Sequence, residues 1–292
     1  MLTPLPSWFR QDVPDHKALG RMRALVREGG LHTVCESARC PNQGECWGRG
    51  TATFMILGDV CTRACRFCAV AHGAPVEPDL AEPQKVADAV KALGLQYVVI
   101  TSVTRDDLED EGAGQFVRVI EAIRKDIPEC RVEVLIPDMH ARLELLNRIA
   151  VARPDVIGHN IETAQRISAE LRPQASYSRS LKALAALGEV SLSSRVKSGL
   201  MVGLGETDDE VLETLKDLRA TGCDMVTIGQ YLAPFKSRRH IPVRRFVLPA
   251  VFDRYRREAL EMGFSAVVAG PLVRSSYLAE QGYKDAYDTK SA

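Results

Sequence analysis

Six of the eight cysteines lie between Cys35 and Cys68, where they form two groups of three. The second group, Cys61, Cys65 and Cys68, has the spacing C-x3-C-x2-C and directly follows a predicted strand. Three thiolates on one short loop can hold three irons of a [4Fe–4S] cluster, which leaves the fourth iron without a protein ligand. A structural zinc site is normally closed by four ligands, often as paired C-x2-C motifs. The spacing therefore favours an iron–sulfur cluster with one open iron over a zinc site.

The same three cysteines, with the aromatic Phe67 before the last of them, resemble the motif of the radical SAM superfamily. In that superfamily the open iron binds the amino and carboxylate groups of S-adenosylmethionine. One electron passed through the cluster then cleaves the sulfonium into methionine and a 5′-deoxyadenosyl radical. The resemblance implies that the cofactor carries the chemistry, while the protein binds it, orients it and excludes water. It also implies no catalytic acid or base, because hydrogen abstraction needs none.

The first group, Cys35, Cys40 and Cys46, has the spacing C-x4-C-x5-C and again lacks a fourth ligand. Its sequence, C-E-S-A-R-C-P-N-Q-G-E-C, resembles the auxiliary-cluster motif of the lipoyl synthase family. The C-terminal R-S-S-Y resembles an element of the same family, whose serine completes that cluster. The resemblance runs from about Cys35 to Tyr277, so it covers most of the chain. It implies two [4Fe–4S] clusters and S-adenosylmethionine as cofactors.

Two serines of the R-S-S-Y element, Ser275 and Ser276, are candidates for the fourth ligand, and the spacing does not decide between them. The family pattern points to Ser276. A serine alkoxide is a harder ligand than a thiolate and suits a sulfide-bridged iron poorly, so that iron should be released easily. This property fits the family, in which the auxiliary cluster is consumed as the source of two sulfur atoms. The alternative is that both hydroxyl groups only bond to nearby backbone.

Candidate contacts for S-adenosylmethionine come from the ends of predicted strands, which form the working face of an α/β barrel. The resemblance implies that Thr101 and Ser102 lie near the methionyl amino group. Asp106 and Asp107, which follow them, are equally suited to begin a helix. The Tyr231 side chain either faces the substrate channel or only packs against neighbouring side chains. The complete set of cofactor-binding candidates is Phe67, Thr101, Ser102, Asn160, Glu162, Arg172, Met201 and Tyr231.

The segment H-N-I-E-T, residues 159–163, resembles a family segment that places Asn160 and Glu162 near the cofactor. Arg172, further along the chain, is implied as a cationic partner for a carboxylate. A buried glutamate needs a cation or hydrogen-bond donors. We interpret His159 as structural, because a single histidine after a strand is usually a satisfied core residue. Met201 lies in a glycine-rich run that resembles the superfamily element supporting adenine by apolar contact.

From residue 51 onward, six short aliphatic or β-branched runs alternate with helical patterns, which is typical of βα units around a parallel sheet. Right-handed crossovers would curl these units into an α/β fold, an open partial (β/α)6 barrel of the radical SAM type. We predict an N-terminal cysteine-rich extension (1–50), the barrel (51–265) and a C-terminal tail (266–292) that closes on the extension. The predicted strands are residues 53–57, 97–103, 131–136, 156–160, 196–202 and 225–231. The predicted helices are residues 15–27, 84–93, 116–125, 142–150, 180–187, 208–220 and 250–262.

The charge is balanced, with 38 Lys and Arg against 38 Asp and Glu, so no strong field indicates nucleic acid or a membrane as a partner. No apolar run approaches the roughly 18–20 residues that span a bilayer. Residues 1–10 lack the apolar core of a secretory signal, and we expect cytoplasmic localisation. Cys130 and Cys223 stand apart from the two groups and are predicted to be buried core thiols. The basic segment 236–246 is either a docking site for an acidic carrier or an exposed loop.

The resemblance implies insertion of two sulfur atoms at C6 and C8 of an octanoyl chain that is amide-linked to a lysine of a carrier domain. The implied carrier is a 2-oxoacid dehydrogenase E2 subunit or the glycine-cleavage H protein. Reduced flavodoxin or ferredoxin would supply electrons, and an iron–sulfur carrier would renew the cluster. The alternatives are another radical SAM enzyme, such as a methylthiotransferase or a dehydrogenase, and a two-cluster electron carrier. A second cluster that conducts electrons would more naturally have four cysteines, which disfavours the other radical SAM enzymes. An electron carrier does not need a scaffold of six βα units with an open cavity, which disfavours that alternative.

Overall fold

The computed structural model describes residues 5–10, 16–49, 51–191, 193–235 and 239–288. Its strands are β1 (His32–Thr33), β2 (Thr53–Ile56), β3 (Val60–Cys61), β4 (Ala71–His72), β5 (Tyr97–Ser102), β6 (Arg131–Leu135), β7 (Val156–Gly158), β8 (Arg195–Val202), β9 (Met225–Gln230) and β10 (Ala266–Gly270). Its α-helices are α1 (His16–Glu28), α2 (Val34–Ser37), α3 (Gln43–Gly48), α4 (Glu82–Ala92), α5 (Ala113–Asp126), α6 (Leu143–Val151), α7 (Gln165–Leu171), α8 (Tyr177–Val190), α9 (Asp208–Ala220), α10 (Pro249–Glu261) and α11 (Ala279–Asp288).

One sheet of eight strands forms the framework, in the order β1-β2-β5-β6-β7-β8-β9-β10, and β3 pairs separately with β4. Every neighbouring pair from β2 to β10 is parallel, whereas β1 pairs with β2 in the antiparallel direction. Within the described residues, no pairing joins the β1 edge to the β10 edge. The sheet is therefore an open barrel, which confirms the predicted fold class.

All six predicted parallel strands are present within two residues of their predicted bounds. A seventh parallel strand, β10, was not predicted and pairs with β9 from Ala266 opposite Met225 to Gly270 opposite Gly229. Its sequence, A-V-V-A-G, has two strand-favouring valines between alanine and glycine residues, which are depleted in strands. The edge of β9 provides its hydrogen-bond partners, and this tertiary contact is what makes it a strand.

The core lies between the sheet and the helices that follow its strands. Val98 and Ile100 of β5 are buried in one cluster with Phe116 of α5. Strands rich in Val and Ile are expected where a parallel sheet is covered by helices. Helix α9 begins as predicted, with the Thr207 hydroxyl accepting from the Glu210 N–H at 3.2 Å and the Glu210 carboxylate accepting from the Thr207 N–H at 2.8 Å. These packed units fix the positions of the strand ends.

The segment 272–277, which we call the tail segment, lies over β8 and β9 and contacts the N-terminal cysteine region. The Asn42 side chain donates to the Leu272 carbonyl at 2.6 Å, and the Tyr277 hydroxyl donates to the Glu45 carboxylate at 3.2 Å. A Cβ atom at Gly229 would lie 2.0 Å from the carbonyl oxygen of residue 273. The tail segment can reach this position because glycine leaves room for its backbone.

Gly229→Ala should displace the tail segment, because the methyl group would meet a backbone carbonyl that cannot rotate away. We expect a loss of about 1–3 kcal/mol in the free energy of unfolding, measured by urea denaturation. Gly20→Ala is the matched control, since nothing lies within 4 Å of a Cβ atom at that position in α1. A Gly229→Ala protein as stable as the unmodified chain would contradict this account of the contact.

Candidate active site

The second cysteine group lies on the connection between β3 and β4, with Cys61 on β3 and the other two thiols on the loop. The Cys61 sulfur accepts hydrogen bonds from the N–H groups of Arg63 at 3.4 Å and Thr104 at 3.3 Å. The Cys68 N–H donates to the Cys65 carbonyl at 3.2 Å, which closes a tight turn. Burial, together with the neighbouring Cys68, raises the pKa of the Cys65 thiol to about 12. The loop thus gathers three thiols in one small region.

A buried arginine, which the sequence analysis did not single out, fixes this loop. Arg63 donates to Asp106 at 2.7 Å and to Asp138 at 2.9 Å. Asp138 is fully buried and also accepts from Arg179 at 2.8 Å. Burial alone would raise the pKa of Asp138, but the two guanidinium groups hold it well below its usual range. Asp106 therefore anchors the cysteine loop and does not begin a helix, since α5 begins at Ala113. The signal available in the sequence was an arginine inside C-T-R-A-C.

The first cysteine group lies on two short helices, with Cys35 on α2, Cys40 between the helices and Cys46 on α3. The Cys40 N–H donates to the Cys35 carbonyl at 3.1 Å, so the chain turns back on itself. Cys46 packs against the cluster that contains Cys35 and Trp47. Burial, with the nearby Cys35 and Cys40, raises the pKa of the Cys46 thiol to about 12. The three thiols are close enough to interact electrostatically.

Both cysteine groups border one connected cavity on which the ends of the parallel strands open. Its two parts, of about 340 and 270 Å³, share Phe67, Cys68, Thr101, Asn160 and Glu162. The larger part is also lined by Cys35, Cys40, Met201, Tyr231, Arg274, Ser275 and Ser276. The smaller part is also lined by Cys61, Cys65, Ser102, His159 and Arg172. Every predicted site residue lies on this cavity except Cys46, which packs beside Cys35.

The two serines of the R-S-S-Y element have different surroundings. The Ser275 hydroxyl accepts a hydrogen bond from the Asn160 side chain at 2.7 Å, which ties the tail segment to the loop after β7. Ser276 lines the larger part of the cavity, and among the described residues its hydroxyl forms no hydrogen bond. Ser275 therefore does not cap nearby backbone, as one alternative held, and Ser276 keeps its oxygen available for a ligand.

Two buried polar atoms of the smaller part have no hydrogen-bond partner within the described part of the chain: the Ser102 hydroxyl and the Nε of Arg172. Buried polar groups are normally paired, so these atoms indicate a polar ligand at this wall. The Thr101 hydroxyl is engaged, because it donates to the Leu135 carbonyl at 2.8 Å. A terminal nitrogen of Arg172 donates to the Asn160 carbonyl at 3.4 Å, which orients the guanidinium group.

Glu162 has a strained backbone at the cavity wall. Its φ of 70° is rare for a residue other than glycine. Its N–H donates to the Gly199 carbonyl at 3.0 Å, and its carbonyl accepts from the Met201 N–H at 2.8 Å, so β8 holds it in place. Burial raises the pKa of Glu162, while Arg172 and a hydrogen bond from Asn160 act to lower it. Such strain costs about 1–3 kcal/mol and is concentrated at functional sites.

An apolar wall lies beside these polar groups. Phe67 and Met201 pack on a buried cluster that contains Leu171 and Tyr231. The Tyr231 hydroxyl donates to the Ile241 carbonyl at 2.7 Å, and burial raises the pKa of that hydroxyl to about 12. The Tyr231 ring therefore borders the cavity, while its hydroxyl holds a neighbouring loop in place.

His159 and the two isolated cysteines have structural surroundings. One ring nitrogen of His159 bonds with the Ile136 carbonyl at 3.0 Å and the other with the Ser180 hydroxyl at 2.9 Å. Burial lowers the pKa of His159 to about 4, so the ring is neutral at physiological pH. Cys130 and Cys223 are 1% and 0% exposed, which confirms that they are core thiols.

Within the described residues, the three thiols of neither cysteine group all lie within 4.8 Å of one another. Two thiolates on one zinc lie at most about 4.6 Å apart, because each Zn–S bond is about 2.3 Å long. Within the described residues, the group of metal-binding side chains whose donor atoms lie within 4.8 Å is Asp106, Glu111 and His140, without a cysteine. Arg63 and Arg142 form ion pairs with the first two of these. At least one pair of thiols in each group is therefore farther apart than two ligands of one zinc ion.

Residues 55–218 match the model of the Radical SAM superfamily. Among solved structures, the chain resembles HydG, a maturase of the [FeFe]-hydrogenase, with a TM-score of 0.58. The two are 15% identical, and the match covers 73% of this chain and 50% of that chain, so this likeness concerns the fold alone. The matched segment and the open barrel place the chain in the radical SAM superfamily.

Two relatives named lipoyl synthase match over nearly the whole chain. The one from Syntrophotalea carbinolica is 53% identical and covers 97% of this chain and 92% of its own length. The one from Thiobacillus denitrificans is 52% identical, with 95% and 89% covered. The chain belongs to the lipoyl synthase family. This confirms the predicted family, and with it the enzyme class, a sulfur-inserting radical enzyme, and the cofactors S-adenosylmethionine and [4Fe–4S] clusters. No helix within the described ranges is long and apolar enough to cross a membrane.

His159 should make stability depend on pH. The folded protein favours the neutral ring, with a pKa of about 4, whereas the ordinary value is 6.5. Its contribution is therefore complete above the ordinary value and is lost as the pH falls toward 4. We expect a loss of about 2–3 kcal/mol over this interval, measured by urea unfolding of the metal-free protein. His159→Gln should flatten this dependence, and an unchanged slope would contradict the assignment.

Proposed function

We propose that this chain inserts two sulfur atoms at C6 and C8 of a protein-bound octanoyl-lysine. The observation that carries the proposal is the connected cavity on which both cysteine groups open, with Ser276 of the tail segment beside the first group. A radical source and a sulfur source must reach the same acyl chain. A shared cavity with an apolar wall permits this and keeps water away from the reacting carbon.

The second cysteine group, Cys61, Cys65 and Cys68, would hold the cluster that binds S-adenosylmethionine. The unpaired atoms of Ser102 and Arg172 fit the amino acid part of the cofactor, because a hydroxyl can accept from the amino group and a guanidinium can donate to the carboxylate. When bound, the cluster and cofactor supply a radical that abstracts hydrogen from unactivated carbon. The remaining proposed contacts are polar, from Thr101, Asn160 and Glu162, and apolar, from Phe67, Met201 and Tyr231.

The auxiliary cluster that supplies the sulfur atoms would be held by the first cysteine group (Cys35, Cys40 and Cys46) and by Ser276. Ser276 is favoured over its neighbour because the Ser275 hydroxyl is already bonded to Asn160. An oxygen ligand suits soft iron poorly, so the iron it binds is the easiest to release. This weak ligand fits a cluster that is taken apart in each catalytic cycle.

This assignment divides the chain into three functional parts. Residues 1–50 would be the extension with the auxiliary-cluster cysteines, residues 51–265 the barrel, and residues 266–292 the tail with the serine ligand. Strand β10 lies at the start of the third part and pairs with β9. The sheet thereby directs the tail segment across the strand ends toward the first cysteine group.

The proposed substrate is the octanoylated domain of a 2-oxoacid dehydrogenase E2 subunit or of the glycine-cleavage H protein, in the cytoplasm. Reduced flavodoxin or ferredoxin would be the electron donor, and an iron–sulfur carrier would rebuild the auxiliary cluster. The basic segment 236–246 gains no support as a docking site. Residues 236–238 lie outside the described residues, and Arg245 is ion-paired with Asp208 at 2.8 Å.

The reaction is tested with protein reconstituted anaerobically and given dithionite, S-adenosylmethionine and an octanoyl-lysine peptide. Mass spectrometry should detect 5′-deoxyadenosine and a peptide with two added sulfur atoms. Ser276→Ala should lower sulfur addition by at least about 10-fold, because the fourth ligand is lost, but should still form 5′-deoxyadenosine. Ser275→Ala is the matched control and should retain more sulfur addition than Ser276→Ala.

The outcomes separate the rival functions. Deoxyadenosine without sulfur addition in the unmodified protein would favour another radical SAM reaction. Neither product, from protein that holds both clusters, would favour an electron carrier. Loss of sulfur addition in Ser275→Ala but not in Ser276→Ala would exchange the roles of the two serines.

A further inference from the structure

Arg274 belongs neither to the barrel nor to the proposed contacts with S-adenosylmethionine. It lines the larger part of the cavity together with Cys35 and Cys40 of the first cysteine group. Hydrogen bonds on both sides of it, from Asn42 to Leu272 and from Tyr277 to Glu45, hold the tail segment against that group. The side chain is therefore placed beside the thiols by contacts at both ends of its segment.

Within the described part of the chain, the guanidinium group of Arg274 has no anionic partner. Among the described residues no carboxylate lies within 4 Å of it, and its one hydrogen bond is donated to the Val273 carbonyl at 2.7 Å. Arg274 shares the cavity wall with Cys35 and Cys40 of the first cysteine group. Arg274 is half-buried, and a guanidinium group drawn partly out of water is stabilised by a nearby anion. The anion expected here is one that binds at the first cysteine group.

A [4Fe–4S] cluster held by three thiolates and an alkoxide carries net negative charge. Nearby charges and hydrogen bonds are among the features that tune such clusters. Arg274 also stands two residues before Ser276, so one short segment brings a cation and the oxygen ligand to the same wall. A cation here would offset the charge of a cluster whose weakest ligand is the serine.

We infer that Arg274 is a positioning residue that retains the auxiliary cluster by neutralising negative charge at the first cysteine group. This inference rests on the proposed function, because it requires a cluster at the first cysteine group. Arg274 would keep the serine-ligated cluster intact until sulfur is withdrawn during the reaction.

The test is the rate at which a chelator removes iron from the reconstituted full-length chain carrying Cys61→Ala, Cys65→Ala and Cys68→Ala, so that iron reports the auxiliary cluster alone. Arg274→Gln in this background should release iron about 10-fold faster. Arg274→Lys should restore slow release, because it keeps the charge. The absorption spectrum of the cluster follows the same time course independently of enzymatic activity.

Arg256→Gln is the matched control, since Arg256 is an exposed arginine on α10, and its release rate should be unchanged. Slow release in Arg274→Gln would overturn the inference, as would release in Arg274→Lys as fast as in Arg274→Gln. If the Arg274→Gln protein does not fold, the Arg274→Lys protein still tests the inference. Fast iron release from a variant that keeps the positive charge would exclude a charge effect. If the triple-alanine chain with Arg274 intact bound no cluster, the proposed function itself would fail, which is a separate result.

Discussion

The close approach of the tail segment to β8 and β9 is the contact on which the site depends. Gly199 and Gly229 leave no side chain where Ser275 and the carbonyl of residue 273 pass. The Asn160 side chain then holds Ser275 at 2.7 Å, and the N-terminal cysteine region binds the segment from the other side. Residues far apart in sequence thereby form one wall, which brings Arg274 and the Ser276 hydroxyl beside Cys35 and Cys40.

The cysteine loop of the second group is held by a different kind of contact. Arg63 lies between two carboxylates, and a second arginine, Arg179, completes the charge balance of the buried Asp138. A buried ion pair adds little net stability, because desolvation offsets the attraction, but it has a strong geometric preference. This suits a loop that must keep three thiols in a fixed arrangement, while the tail segment closes the opposite part of the cavity.

The parts of this site that the sequence predicted are those with local signals. The cysteine spacings and the six alternating strands each depend on neighbouring residues, and the structure contains all six predicted strands. Strand β10 was missed because its short A-V-V-A-G run mixes strand-favouring and strand-disfavouring residues, and its pairing with β9 is a contact that no local pattern shows. The Arg63–Asp138 pair and the Asn160–Ser275 bond join residues 75 and 115 positions apart, so no local pattern reveals them.

An anaerobic crystal structure of the reconstituted protein tests most directly whether the two clusters share one cavity and whether Ser276 completes the auxiliary cluster. We expect a bond from the Ser276 oxygen to the fourth iron at the first cysteine group, and an iron without a protein ligand at the second group. We also expect Asn160 to remain bonded to Ser275. A fourth iron bound by Ser275 or by another residue, or two clusters separated by a closed wall, would contradict these expectations.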